Sequence, residues 1–397
     1  MKKYRLEIFL SPLFLLLGSY VFSVLFSFNI LEPIRQTISD FDITDLSYQI
    51  VEKEKVGEDR IVIIDIGKYS QKKLYFMLNI IAGYQPRAIG IDIPVLKEKD
   101  GMYNDSLLKI CKRFKSIVFA SSLEKYDENH ETYLGIKRSW GEYLQYARSG
   151  FNNLPYGLDK RYFTVRDFRP FTNVMGVNEY SFAYQVASLY DSTATTNLLN
   201  RKNNNERIYY SGNAEIFTFL SSRQVLFNDF DENLLKDKII LIGNAPIFNP
   251  TLQLDFMRFT PFSSSDDGRP LPDMYSIVIQ ANIIKMILDR KYYKIIPEFW
   301  TMLFTLLLVY VNVWIFYLIS DKIVVWYEIL SNILFLIQSI LILALILVLY
   351  FDYNIYADLN IALLALALVI IVFEAYRDSI VPFIKNIFKK IIQRSSK

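Results

Sequence analysis

The sequence predicts an α/β domain, with a mixed or parallel sheet and covering helices, held outside a membrane by four transmembrane α-helices. Three observations carry that expectation. Apolar segments of membrane-spanning length stand at both ends of the chain. Between them lie about 270 residues of ordinary globular composition, where β-branched runs alternate with helical periods. Basic residues gather on the flanks that one orientation of the spans would leave inside.

The first span is Ile8 to Phe28, 21 residues without a charge, behind Lys2, Lys3 and Arg5. A cleaved signal has an apolar core of about 7–15 residues and a small-x-small cleavage site. This segment is longer and runs into Asn29, Ile30, Leu31, Glu32 and Pro33, so it reads as an uncleaved anchor. Phe299 to Ile319 is a further 21 residues without a charge, and Ile329 to Phe351 is 23, interrupted by Ser331, Asn332, Gln338 and Ser339. Leu359 to Phe373 reads as a span if Ile355 to Ala357 join it. A bilayer core needs about 20 apolar helical residues at about 1.5 Å each. One such helix could hide in a soluble core, but hardly three in sequence.

The positive-inside rule then places both termini in the cytoplasm of a multi-pass inner-membrane protein. Residues 1–29 form the N-terminus and first span, 30–297 the outer domain, 298–376 a three-helix bundle and 377–397 a basic tail. Lys322 marks the inner turn, Asp352 and Asp358 the outer one, and Arg377, Lys385, Lys389, Lys390 and Arg394 the inner tail. From Phe383 to Ile392 apolar residues recur at helical spacing, a basic amphipathic helix suited to an anionic leaflet or to a cytoplasmic partner. The tail is expected to be too short for a kinase or cyclase. Asn312, Asn332 and Gln338 are expected to bond between helices. No ionisable group stands at mid-span, which speaks against transport.

Net charge is +3, with one cysteine, Cys111, and one histidine, His130. No global field invites nucleic acid, no intrachain disulfide or cysteine zinc site can form, and Ser-His-Asp chemistry has no ready constellation.

Within the outer domain, Arg60 to Gly67 and Arg87 to Pro94 read as buried parallel strands, and Leu74 to Ala82 as the helix between them. Their crossover should be right-handed. Ser106 to Phe114, Ser181 to Tyr190 and Phe217 to Phe227 read as helices. Ser116 to Ser121, Gly150 to Leu154, Arg161 to Pro170, Arg207 to Ser211 and Lys238 to Gly243 read as strands. Met274 to Asp289 is an amphipathic helix with Ile277, Ala281, Ile284 and Leu288 along one side. Only Arg290 to Pro297 separates it from the second span, so movement outside would reach the membrane with little slack.

These residues resemble the CHASE2 family of extracytoplasmic sensory domains. The resemblance rests on Asp40 to Leu46 (DFDITDL), Asp59 to Gly67 (DRIVIIDIG), Pro86 to Pro94 (PRAIGIDIP), Leu234 to Gly243 (LLKDKIILIG), Phe259-Thr260-Pro261, and Pro272 to Leu288 (PDMYSIVIQANIIKMIL), in the family's order. It covers roughly Asp40 to Lys294, and the family's usual three membrane spans follow. Ser276 and Gln280 stand where the family commonly has Gly and His, and Tyr126 to Trp140 matches poorly. The resemblance implies an extracytoplasmic sensory domain followed by three membrane spans, and leaves the ligand undefined. Together with the short tail it joins the expectation of an α/β extracytoplasmic sensor domain plus four transmembrane α-helices that binds a small ligand or an envelope component and signals through a separate cytoplasmic partner. The alternative is an envelope assembly factor that holds another membrane protein.

Asp65 and Asp92 each end an apparent parallel strand, where open α/β sheets bind ligands. Such acids suit a cation, an amine or a hydroxylated ligand, or else they cap helices and pair with an Arg. Arg166 and Arg169, around Asp167, are candidate ion-pair partners or anion contacts. Asp255 and Thr260 are carried over from the family pattern as pocket-lining, against ordinary turn chemistry. Asn282 lies in an apolar helical stripe, where its amide needs a partner. There is no Gly-rich phosphate loop and no placeable nucleophile–base pair, so no catalysis, metal or cofactor is implied. A carboxylate pair at Asp65 and Asp92 is the one enzymatic alternative.

Overall fold

The computed structural model describes residues 57–98, 101–127, 132–154, 164–247, 254–263, 271–322 and 326–375, with isolated positions at 42–45, 48, 130, 377 and 382. The N-terminal apolar segment and the basic tail lie outside them. The chain divides into two units, residues 48–293 and residues 1–47 with 294–397.

The first unit is built on a nine-stranded sheet. Its parallel part begins with β1 (Glu58–Asp65), helix α1 (Gln71–Gly83), β2 (Ala88–Ile91), α2 (Asn104–Arg113) and β3 (Ile117–Asp127). Strand β4 (Thr132–Lys137), the short α3 (Gly141–Leu144) and β5 (Arg148–Phe151) follow. Next come β6 (Asp167–Phe168), β7 (Phe171–Val174), β8 (Val177–Tyr180), α4 (Phe182–Tyr190), α5 (Ser192–Asn200) and β9 (Glu206–Arg207). The unit closes with β10 (Phe217–Ser221), α6 (Ser222–Phe227), β11 (Ile239–Gly243), the pair β12 (Met257–Arg258) and β13 (Met274–Tyr275), and α7 (Ser276–Asp289).

Strands β10, β1, β11, β2 and β3 run parallel in that spatial order. Ile117 to Ser121 of β3 complete this sheet with β2 and β5, and Ser122 to Asp127 run on to pair antiparallel with β4. The β7–β8 hairpin extends the antiparallel lobe. Alternate residues of the parallel strands feed two cores. Ile61, Ile63, Ile239 and Leu241 pack with α4 and α7, while Val62, Ile64, Ile240 and Ile242 pack with α1 and α2. Burial on both faces is why these strands read as unbroken β-branched runs.

The predicted strand–helix–strand unit at the start is present, with β11 inserted between its two strands. The expected helix Phe217 to Phe227 is instead a strand followed by a helix. Ser221 and Gln224 form a capping box that starts α6 there, and the residues before it pair with β1. Helix α7 is broader in its burial than the stripe predicts, because every residue from Ile277 to Ile287 is buried. Between Arg161 and Pro170, the described strand is the two-residue β6, paired with β9.

The second unit holds β14 (Lys294–Ile295), α8 (Glu298–Lys322), α9 (Tyr327–Phe351), β15 (Ile355–Tyr356) and α10 (Asn360–Ala375). Among the described residues two helical segments, Glu298–Ser320 and Ile329–Phe351, are long and apolar enough to cross a membrane, and a third apolar stretch, Asn360–Ile370, is shorter. Val313, Phe316, Val369 and Phe373 form a core between α8 and α10. Asn312 donates to the Leu308 carbonyl of its own helix at 2.8 Å, where a bond between helices was expected. Back-bonding to the preceding turn meets the same need for a partner.

Candidate functional site at the carboxyl edge of the sheet

Register brings Asp65 and Asp92 to one place. Asp65 pairs across β1 and β11 with Gly243, and the N–H of Asp92 donates to the Ile242 carbonyl on the other flank of β11, at 2.8 Å. Two strand spacings put their Cα atoms about 10 Å apart. Both belong to the face that α7 covers, with Gly243 between them. A Cβ on Gly243 would stand 2.6 Å from Ile277 Cδ1 and 3.2 Å from Asp92 Cβ, so an alanine there would press on Asp92 and on the first turn of α7, where the tip of Ile277 would have to shift.

This is also where the chain changes sides. From β1 and β2 it crosses to α1 and α2 in one core, whereas β11, lying between them, leads to α7 in the other. A strand whose exit opposes its neighbours' opens the crevice in which α/β sheets bind ligands.

The two acids are held differently. Oδ1 of Asp65 accepts the N–H groups of Gly67 and Ala245, each at 3.1 Å, tying together the loops that leave β1 and β11. Asp92 accepts from Asn152 Nδ2 at 2.8 Å, and the Asn152 carbonyl accepts from Gln280 Nε2 of α7 at 3.2 Å. Desolvation drives the Asp92 carboxyl up to about 7, against the hydrogen bond from Asn152 and the charge of Arg258. Near neutral pH this group therefore both donates and accepts hydrogen bonds. Asp92 as a residue is half-buried.

The remaining candidates lie around this pair, not in it. Thr260 is buried, and its N–H and hydroxyl both donate to Asp273, a carboxyl that desolvation raises to about 6 against those same bonds. Asn282 is fully buried. Its Oδ1 accepts from the Ser211 N–H at 2.9 Å, and its Nδ2 donates to Gly212 and Val278 carbonyls at 3.0 and 3.1 Å. It pins a loop onto α7. Asp255 is exposed in the turn Leu254–Phe256, and its carbonyl accepts from Arg258 at 3.0 Å. The Arg166 carbonyl accepts the Ile208 N–H at 2.7 Å, Arg169 donates to Asn205 at 3.0 Å, and Asp167 pairs with Arg207. Among the described residues no group of three His, Cys, Asp or Glu side chains is placed to hold a metal.

Sequence reasoning missed Asn152 and Arg258 as members of the site. Asn152 follows an apolar strand end, the same signal that found Asp65 and Asp92. Arg258 carried no such signal.

A CHASE2 domain family model matches residues 18–316. The chain belongs to the CHASE2 family. The match begins inside the N-terminal apolar segment and ends inside α8, so it reaches beyond the Asp40 to Lys294 resemblance at both ends. CHASE2 domains are extracytoplasmic sensory domains, and this chain carries one. No curated protein and no solved structure matches it.

Proposed function

We propose that this CHASE2 chain is a non-enzymatic sensor of the inner membrane, with residues 30–297 outside and both termini in the cytoplasm. It binds a small ligand, or part of an envelope component, at the carboxyl edge of the sheet between Asp65 and Asp92. It passes the bound state to a separate cytoplasmic signalling partner. The observation that carries this reading is the pair of carboxyl groups flanking Gly243 at the strand whose exit changes face. Asp65 offers a fixed acceptor, while Asp92 and Asn152 offer groups that donate and accept, a set suited to amines or hydroxyls.

The test is thermal unfolding of the full chain in lipid nanodiscs with a panel of diamines and monosaccharides. A compound that stabilises the wild type should stabilise Asp65→Asn and Asp92→Asn variants markedly less. Undiminished stabilisation of both variants would place the ligand elsewhere. Recovery of an envelope protein at fixed stoichiometry in mild detergent, with no kinase, cyclase or regulator, would favour the assembly role instead.

A further inference from the structure

Helix α7 is about 20 Å long at 14 residues, and its two ends meet opposite edges of the sheet. At its start, Ile277 lies over Gly243, and one turn on Gln280 holds Asn152. At its finish, the side chains of Lys285 and Asp289 enter a closed ring of four charges with Glu58 and Arg60 of β1. Arg60 reaches Glu58 and Asp289, each at 2.6 Å, and Lys285 reaches the same two acids at 2.9 and 3.0 Å. Glu58 and Lys285 are buried, at 3% and 8% exposure. Removing one member would strand a buried charge, so the ring holds in one arrangement or opens.

The chain beyond α7 is fastened just as closely. Arg290 donates to Thr193 at 2.9 Å. Arg201, fixed on Glu206 at 2.7 Å, donates to the Tyr293 carbonyl at 2.7 Å and lies over the Tyr292 ring. The hydroxyls of Tyr48 and Tyr293 are 3.2 Å apart, so the first and last residues of this unit meet. The next residues, Lys294 and Ile295, pair with Ile355 and Tyr356 in the connection between α9 and α10.

We infer that α7 is the rigid transmission element of the sensor and that the four-charge ring is the latch on its output end. The inference rests on the proposed site, but only on its position. A ligand that shifts Asp92 and Asn152 loads the first turn of α7 through Gln280. Because the helix is buried from Ile277 to Ile287, it moves as a body instead of bending. The displacement then appears at the ring and at Tyr293, from which the backbone leads to the α9–α10 connection. Residues at the ring thereby set how much displacement the resting state resists.

Hydrogen exchange of the full chain in nanodiscs tests this without any ligand. Gly243→Ala loads the crevice end, pressing on Asp92 and on Ile277 in the first turn of α7. Exchange of the Arg290–Ile296 amides should then rise about tenfold or more, the signature of a local opening, while the α1 amides Leu74–Ile81 stay at wild-type rates. The charge-neutral double variant Glu58→Gln with Lys285→Gln weakens the latch directly, leaving only its Arg60–Asp289 pair. It should raise exchange at the same amides and at Asn152, at the far end. Responses confined to the substituted end in either variant would overturn the inference. So would an equal rise in α1, which reports general loosening. Failure here leaves ligand binding at Asp65 and Asp92 untouched, and failure of ligand binding leaves the rod intact.

Discussion

Two carboxyl groups of the same unit answer pH in opposite senses. Burial raises Glu58, but hydrogen bonds from Arg60 and Lys285 outweigh it and bring the group down to about 2. Its folded value is depressed, so its contribution is present above about pH 4.5 and is lost as pH falls toward 2. Asp92 is the reverse case. With an ordinary value near 3.8 and a folded value of about 7, the folded chain holds the proton that the unfolded chain releases. Stability is therefore lost as pH rises from about 4 to about 7. Asp92→Asn should raise the Tm relative to wild type at pH 8 and leave it nearly unchanged at pH 4, measured by thermal scans in nanodiscs. A larger gain at pH 4 than at pH 8 would contradict the assignment. Glu58→Gln should do the opposite, with its loss of Tm greatest at neutral pH and shrinking toward pH 3. Both acids stand next to apolar strand runs, but only Asp92 was legible as special, because strand ends are where ligands are sought. The importance of Glu58 depends on α7, 227 residues away along the chain, and no local pattern announces that.

At the scale of elements, packing of α4 on the sheet depends on Gly150. A Cβ there would lie 2.7–2.9 Å from backbone atoms of Phe182 and Ser181, which cannot swing aside as a side-chain tip can. Gly150→Ala should cost about 2–3 kcal/mol, at the upper end for overpacking, and chemical denaturation would show it as a lower midpoint. Gly90→Ala meets only side-chain atoms, of Phe182, Leu241 and Val186, and should cost less. The elements that sequence located well are those whose periodicity survives in isolation. β1, β2 and β11 are buried on both faces, and α1 keeps Leu74, Met77, Leu78 and Ile81 on one side. The antiparallel lobe was illegible for the opposite reason. β4 has no fully buried residue and β8 is polar, so neither shows the apolar run that marks a strand. The stretch Phe217 to Phe227 misled because its apolar residues suit either period, and the Ser221 cap decides the matter. α5 was missed too, since a helix beginning Ser-Thr-Ala-Thr-Thr shows little of the 3.6 pattern.

At the scale of the molecule, the proposed orientation makes a direct prediction. Cys111 is buried and its thiol is pushed up to about 12 by desolvation, so the native chain should react poorly with maleimides. His130 is exposed, paired with Asp127 on the β3–β4 turn. In intact cells a His130→Cys chain should label with a membrane-impermeant maleimide, and Lys385→Cys should label only after permeabilisation. The reverse pattern would invert the topology. The division into two units also explains why the long apolar segments were legible in composition while the path between them was not. Apolar length is a local property, whereas the clasp of Tyr48 and Tyr293 joins residues from opposite ends of the unit. β3 has a different consequence, for how the lobe is joined to the rest of the sheet. Its first half satisfies β2 and β5 before the strand continues into the lobe. The pairings that set the register of Asp65 and Asp92 therefore lie outside the lobe, while its β8 end reaches the site's edge through the bridge of Ser181 with Phe151.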